Sequence, residues 1–414
     1  MFESLNLSLG ARSRLEKTIW ILILLFIFSI SFSIAASQIF LSILVATYLY
    51  WKLRRHRQFP WFPLLLPALT FSYLSLLSVA FSIHPSLSLI NAKHLTLFII
   101  LPILYDAIRD LNDVRIIYRI LIVAGVISAA YGLLQFFNAE SEVANIRIKG
   151  FMGHWMTFSG LLMILNVLLF SHLLFSKQHP VWFYPAFGIL SLALILSLTR
   201  NVWIGSLAAF TVMIAMRKVR WIIAIPAVVF IIVLISQLLF PTFVTNRMRN
   251  IFNPNETSSR DRIQMLRSGW KIVQDFPLTG VGGDMIQYVY PRYREPDSPF
   301  RNNQHLHNNL AQLAAENGIL VLAAWIWLIT KVISDLIHWK RNVMNSEETF
   351  MIHGTIGVVV ALLVAGMFEY NFGDSEIRML FLVLITIPYG WHKSILAKEQ
   401  SSVESFPATN LPLQ

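Results

Sequence analysis

The apolar runs constrain this chain more than any other feature. A helix rises about 1.5 Å per residue, so roughly 20 apolar residues cross about 30 Å of hydrocarbon. Runs of that kind recur near 19–35, 38–52, 61–82, 94–108, 114–137, 156–175, 181–199, 201–216, 221–240, 308–337, 351–371 and 376–392. With 56% hydrophobic and 13% charged residues among 414, and a mean hydropathy of +0.61, the chain has the profile of a polytopic membrane protein. The sequence therefore predicts an all-α polytopic fold of about 12 transmembrane helices.

Charge fixes the expected orientation. The formal charge of +11 does not point to nucleic acid, because the cations sit in short clusters between apolar runs instead of on one polar face. "WKLRRHRQ" (51–58), "RDLNDVR" (109–115), "FSKQHP" (175–180), "RKVR" (217–220) and "HWKRN" (338–342) alternate with loops poorer in cations. The positive-inside rule puts these clusters in the cytoplasm, and both termini with them. "SIAAS" (33–37) resembles a signal cleavage site, but a second apolar run follows at once and "KLRRHR" then fits the cytoplasm, so the first run is read as a span. The chain has no cysteine, which excludes disulfides, Fe–S clusters and thiolate zinc sites.

Residues 182–216 would reach about 52 Å as one helix, too long for a bilayer. Both flanks read as cytoplasmic, so two short helices are expected to meet outside near Arg200, in "LTRNVWIG". That arginine either snorkels to headgroups or holds a ligand.

The sequence divides into spans over 1–240, a large outer loop over 241–306, further spans over 307–396 and a disordered cytoplasmic tail over 397–414. The loop carries nine Lys/Arg against six Asp/Glu. Within it, "SSRDRIQMLRSGWKIVQDFP" (258–277) places Ile263, Leu266, Trp270 and Val273 at helical spacing, with Ser258 or Ser259 as cap and Pro277 as stop. The expected helix is amphipathic, with Arg260, Arg262, Arg267 and Lys271 on its polar side, facing anionic headgroups or a phosphate in a cavity. "TGVGGD" (279–284) does not match a Walker loop and follows no strand, which argues against a nucleotide site.

"HLHNNLAQLAAENG" (305–318) opens the next apolar run, so His307 and Asn308 are expected at the outer mouth of a span, where unsatisfied N–H groups and the helix dipole attract anions. A lone histidine there would more often be a cap. Arg200, the basic helix and His307 on one face of the membrane make a ligand site the better reading.

Taken together, "TRNVWIG" (199–205), "RIQMLRSGWKIVQDFPLTGVGGD" (262–284) and "HNNLAQLAAENG" (307–318) resemble the signatures of the O-antigen ligase and polymerase superfamily of bacterial envelope glycosyltransferases. The resemblance implies a multi-pass protein of the bacterial inner membrane with a periplasmic active site and short helices in its large periplasmic loop. It implies transfer of a glycan from undecaprenyl diphosphate to a lipid A core oligosaccharide, with inversion at the anomeric carbon. Residue by residue, Arg200 and Arg262 fall on the arginines expected to hold the diphosphate, and His307 on the histidine expected at the reacting centre. Arg260, Arg267 and Lys271 are secondary donor-site candidates, and His305 ranks below His307 because it is offset from the motif.

The chemistry is consistent on its own terms. A departing diphosphate accumulates negative charge that forked, permanently charged arginines stabilise, so neither metal nor cofactor is expected. Histidine titrates near neutrality and suits a base for a sugar hydroxyl. Glu140 and Glu142 are the weak candidates for a metal-binding carboxylate. Asn308, Glu316, Tyr370, Asp374 and His154 are candidate acceptor-binding or supporting residues, and Glu369 in "FEYNFGDSEIR" (368–378), like Tyr370 and Asp374, either binds acceptor sugar or closes the turn, the turn being the favoured reading. An O-antigen polymerase or a protein-glycosylating oligosaccharyltransferase would use the same donor. A transporter of an anionic lipid or solute is the non-enzymatic alternative, disfavoured by the absence of paired, broken spans in two halves.

Overall fold

The computed structural model describes residues 2–10, 12–138, 147–223, 226, 257–296, 298, 300–342 and 349–404. Among these no strand occurs. The helices are α1 (Phe2–Gly10), α2 (Arg14–Ser29), α3 (Ile34–Arg54), α4 (Leu65–Ala80), α5 (Pro85–Asn91), α6 (Ile100–Ala107), α7 (Leu111–Phe137), α8 (Trp155–Phe175), α9 (Phe183–Leu196), α10 (Arg200–Lys218), α11 (Thr257–Asp275), α12 (Ile286–Tyr293), α13 (Asn309–Asn317), α14 (Ile319–Asn342), α15 (Thr349–Ala365) and α16 (Ser375–Glu404). A 3₁₀ segment, Ala92–Ile99, joins α5 to α6.

Seven segments are long and apolar enough to cross a membrane, and α4, α9 and α15 are shorter apolar helices. Eleven of the apolar runs coincide with helices, while the run at 221–240 lies largely outside the described residues, as do 241–256, Glu140 and Glu142. At the C-terminus α16 continues past residue 396 to Glu404, and 405–414 lie outside the described residues.

Apolarity on all sides marks a central helix. The apolar windows of α8 and α16 are 83% and 78% buried, against 28% for α3 and α10, so α8 and α16 form the middle of the bundle. α15 is buried along almost its whole length and packs most extensively on α8 and α10.

The expected break in 182–216 is present. α9 ends at Leu196, Leu198 takes a left-handed φ of 54°, and α10 begins at Arg200. Gly205 lies against the Ala361 carbonyl and Ala365, where any side-chain carbon would collide, and Met213 lies against Gly357. α10 and α15 are therefore antiparallel, and Arg200 stands at the end of the bundle where α15 finishes.

One expectation needs correction. Residues 308–337 do not form a single span, because Gly318, at φ 86°, separates α13 from α14. The reason is tertiary: Gly318 packs against the Leu278 carbonyl, and Gly280 (φ 66°) packs against the Glu316 carbonyl. Backbone amides complete the seam, with Val281 N donating to Ala315 O (3.0 Å), Gly282 N to Glu316 O (2.7 Å) and Ile319 N to Pro277 O (2.8 Å). The glycine-rich turn thus caps the C-terminal carbonyls of α13, which otherwise would lack partners.

Candidate active site

His307 takes a left-handed φ of 48° immediately before α13. The two asparagines that follow it explain how this position is held. Asn308 caps α13, its Oδ1 accepting from Ala311 N (2.9 Å) while its Nδ2 donates to Met367 O (3.0 Å). Asn309 donates from Nδ2 to Asn371 Oδ1 (2.7 Å), accepts from Phe372 N (3.1 Å), and gives its backbone N–H to Gly366 O (2.7 Å). Both side chains are buried, so these bonds are strongly favoured over leaving the groups unsatisfied. They fasten the start of α13 to the 366–372 segment and deliver Glu369 to the histidines.

Glu369 is the centre of the arrangement. His307 Nδ1 lies 2.8 Å from Glu369 Oε2, and His305 Nε2 lies 3.2 Å from Glu369 Oε1. Burial alone would raise the Glu369 pKa, but hydrogen bonds and charge from both histidines hold it well below the ordinary carboxylate range. For His305, burial opposes the charged form, yet the bond and charge of Glu369, with Asp374 and Asp284 behind them, leave its pKa raised. The three ligating atoms lie within 4.8 Å of one another, a spacing that could also hold a metal ion.

Further groups converge on this centre. Thr157, near the N-terminus of α8, donates to Asp374 (2.9 Å), whose pKa burial pushes up to about 7 with the charges of Glu369 and Glu376 adding to it. His154 caps α8, accepting from Met156 N, and lies within electrostatic reach of Glu369, His305 and His307. Tyr370 follows Glu369, its ring 6.4 Å from that of His305. Asp261 on α11 is buried and within electrostatic reach of His307; burial raises its pKa and His307 opposes this.

The sequence-predicted arginines distribute unevenly. Arg200, the first residue of α10, and Arg262, half-buried on α11 beside Asp261, lie at the histidine end of the bundle. Arg260 and Arg267 are exposed, and Lys271 forms an ion pair with Glu295 at 3.0 Å. The expected orientation of α11 holds for most of its basic residues but fails for most of its apolar face. Ile263, Leu266 and Trp270 are exposed, whereas Asp261, Gln264, Met265, Ser268 and Ile272 are buried, with Gly269 against Leu306. The small and polar face fits closely against the His305–His307 segment, and the bulky apolar face is turned outward. Glu369 and Asp261 were not selected as site residues from the sequence, nor was the buried Arg378, which donates twice to the Phe372 carbonyl (2.9 and 2.7 Å).

The described residues thus form a helical bundle with an imidazole–carboxylate centre and two arginines at one of its ends. Residues 185–326, about a third of the chain, match the family model described as O-Antigen ligase. The match contains Arg200, Arg262 and His307 and agrees with the resemblance over that segment; Glu369 lies outside it. A search among curated proteins finds no match.

Proposed function

We propose that the protein is an O-antigen ligase of the bacterial inner membrane, transferring a glycan from undecaprenyl diphosphate to a lipid A core oligosaccharide on the periplasmic side, without metal or cofactor. The observation that carries this reading is the His307–Glu369 pair at the Arg200 end of the bundle. With Nδ1 engaged by Glu369, His307 keeps Nε2 for the acceptor. The acceptor hydroxyl gives its proton to Nε2 as its oxygen attacks the anomeric carbon. The bond from that carbon to the phosphate oxygen breaks, and the diphosphate leaves with the electron pair. Arg200 and Arg262 stabilise the charge that develops there. Attack opposite the leaving group inverts the anomeric centre.

Sidedness follows from charge. The site lies at the bundle end away from the basic clusters, which supports a periplasmic site with both termini in the cytoplasm. The deciding experiment supplies purified protein with lipid-linked glycan and, in separate reactions, lipid A core, a second lipid-linked glycan, or an acceptor peptide. Core-linked product is expected. Chain extension or a glycosylated peptide would instead identify a polymerase or a protein glycosyltransferase, and no transfer in any reaction would remove the enzymatic reading.

A further inference from the structure

Beside the transfer centre lies a cavity of about 200 Å³ whose walls include Glu316, Asp284, Asn91, Ser88 and Tyr370. Glu316 is 3% exposed; Gln312 and the backbone N–H groups of Asp284 and Ile286 bond to its carboxyl, while its Oε1 is left without a close hydrogen-bond partner. A buried carboxyl oxygen left unpaired is costly, so an occupant that bonds to it is favoured. His305, His307 and Glu369 do not line the cavity, but two of its lining residues lie near them: Tyr370, next to Glu369 in the chain, and Asp284, whose charge acts on His305.

The lining limits what that occupant can be. Burial, with Asp284 adding to it, pushes the Glu316 pKa up to about 8, so near neutrality the group is mostly an uncharged carboxyl that both donates and accepts. Arg378 also borders the space, and the resulting environment suits neither a small cation nor an anion. Polar groups from Asn91 and Ser88 alternate with the apolar surfaces of Phe71, Leu95 and Leu313. Such a lining complements a ring that carries hydroxyls on its edge and C–H groups on its faces. The volume suits a single ring, since drug-sized ligands take pockets of roughly 300–1,000 Å³ and a water takes about 30 Å³.

We propose that this cavity is a subsite for one pyranose ring of the glycan next to the bond being made, with Glu316 as its main polar contact. The proposal rests on the glycosyl-transfer reading. The ring belongs either to the donor, next to its diphosphate, or to the end of the acceptor.

Because the native chain has no cysteine, Ala92→Cys in the cavity wall gives a single reporter thiol. Its alkylation by N-ethylmaleimide is followed with lipid-linked glycan, with sugar-free polyprenyl diphosphate, with core oligosaccharide, and with methyl hexopyranosides at high concentration. Slower alkylation with lipid-linked glycan but not with the sugar-free lipid assigns the ring to the donor, and protection by core oligosaccharide assigns it to the acceptor. In parallel, Glu316→Gln and Glu316→Ala should raise the KM of the protecting substrate, Ala by about tenfold for one lost hydrogen bond to a sugar, with kcat changing less. A chain that transfers glycan while no sugar slows alkylation and neither variant changes KM overturns the subsite and leaves the transfer reading standing. Protection by methyl hexopyranosides in a chain that transfers nothing does the reverse.

Discussion

The two ends of the helix bundle handle buried charge differently. At the basic end, the buried charges of Arg12, Lys52 and Lys393 have close partners. Arg12 bridges Asp113 at 2.7 Å with both side chains almost fully buried, and also donates to Ser8 and to the Ala107 carbonyl. Lys52 pairs with Asp106 at 2.6 Å, and Lys393 donates to the Tyr105 and Asp106 carbonyls. At the histidine end, one carboxylate serves two imidazoles, while Asp261 Oδ1 and Glu316 Oε1 are buried without hydrogen-bond partners. Paired charges hold helices together. Incompletely paired ones keep a capacity to bind and to exchange protons, which is the pattern expected where chemistry occurs.

The largest effect should come from His307. Replacing it by alanine removes base assistance, which is on the order of 10²–10⁴-fold in rate, while the arginines keep donor binding largely intact. Glu369→Gln should lower kcat with little change in donor KM, because its carboxylate positions the imidazole instead of touching substrate, and Glu369→Asp should recover part of the loss. His305→Ala should be much milder. Near-normal transfer by purified His307→Ala protein would reduce that residue to a helix-entry position and erase the contrast between the two ends.

At the opposite end the same kind of change should act on stability alone. Asp113→Ala leaves the buried Arg12 without its carboxylate, a loss of about 3–5 kcal/mol for a broken buried pair. The expected result is a lower unfolding temperature in detergent, with unchanged KM in the protein that remains folded. A specific loss of kcat at unchanged stability would show that the basic end also takes part in turnover.

Much of this arrangement is readable in the sequence, for identifiable reasons. Composition sets the solvent, and the length limit on a helix forces the break before Arg200. The polar residues in "HLHNNL" mark the site because asparagines beside an apolar run need partners. Three features are set by tertiary contact and leave little local trace. The Gly318 break depends on the 277–282 backbone lying across α13. The apolar face of α11 is not the one that packs, because its small residues, Ser268 and Gly269, allow close approach, while Ile263 and Trp270 point outward in a protein whose solvent is partly lipid. Glu369 is 62 residues from His307, and "FEYNFGD" reads as an ordinary turn until the Asn309 bonds bring it in.

A smaller effect separates gripping from snorkelling. Arg200→Lys and Arg262→Lys keep the charge but lose the two-pronged contact, so a residue that holds diphosphate should show a clear loss, with alanine worse than lysine. A snorkelling arginine tolerates lysine. If both lysine variants transfer glycan normally, the donor diphosphate is held elsewhere.

Glu316 should also leave a mark on stability against pH. Its folded-state pKa of about 8 exceeds its ordinary 4.5, so between those values the native protein keeps a proton that the unfolded chain releases. This contribution is therefore fully present below about pH 4.5, declines as pH rises, and is gone above about pH 8. Asp374 has the same sign up to about 7 and His305 is also raised, so the share of Glu316 up to about pH 8 is read as the difference between native and variant curves. Glu316→Gln should flatten the unfolding-temperature curve there; a parallel curve would mean that Glu316 is ionised in the folded protein.

The smallest expected effect is that of a chelator. A divalent ion held by His305, His307 and Glu369 would need both facing nitrogens unprotonated, with metal–ligand distances of roughly 2.0–2.2 Å. The nitrogens lie 2.8 and 3.2 Å from carboxylate oxygens, the range in which an imidazole N–H donates to an oxygen, so both contacts can be satisfied by protons in place of an ion. Two arginines can supply the charge stabilisation that a Lewis acid gives elsewhere. EDTA should therefore leave the transfer rate of purified protein essentially unchanged. Complete loss, restored by Zn²⁺, Mg²⁺ or Mn²⁺, would make the three residues metal ligands, return Glu140 and Glu142 to consideration, and narrow the contrast between the two ends.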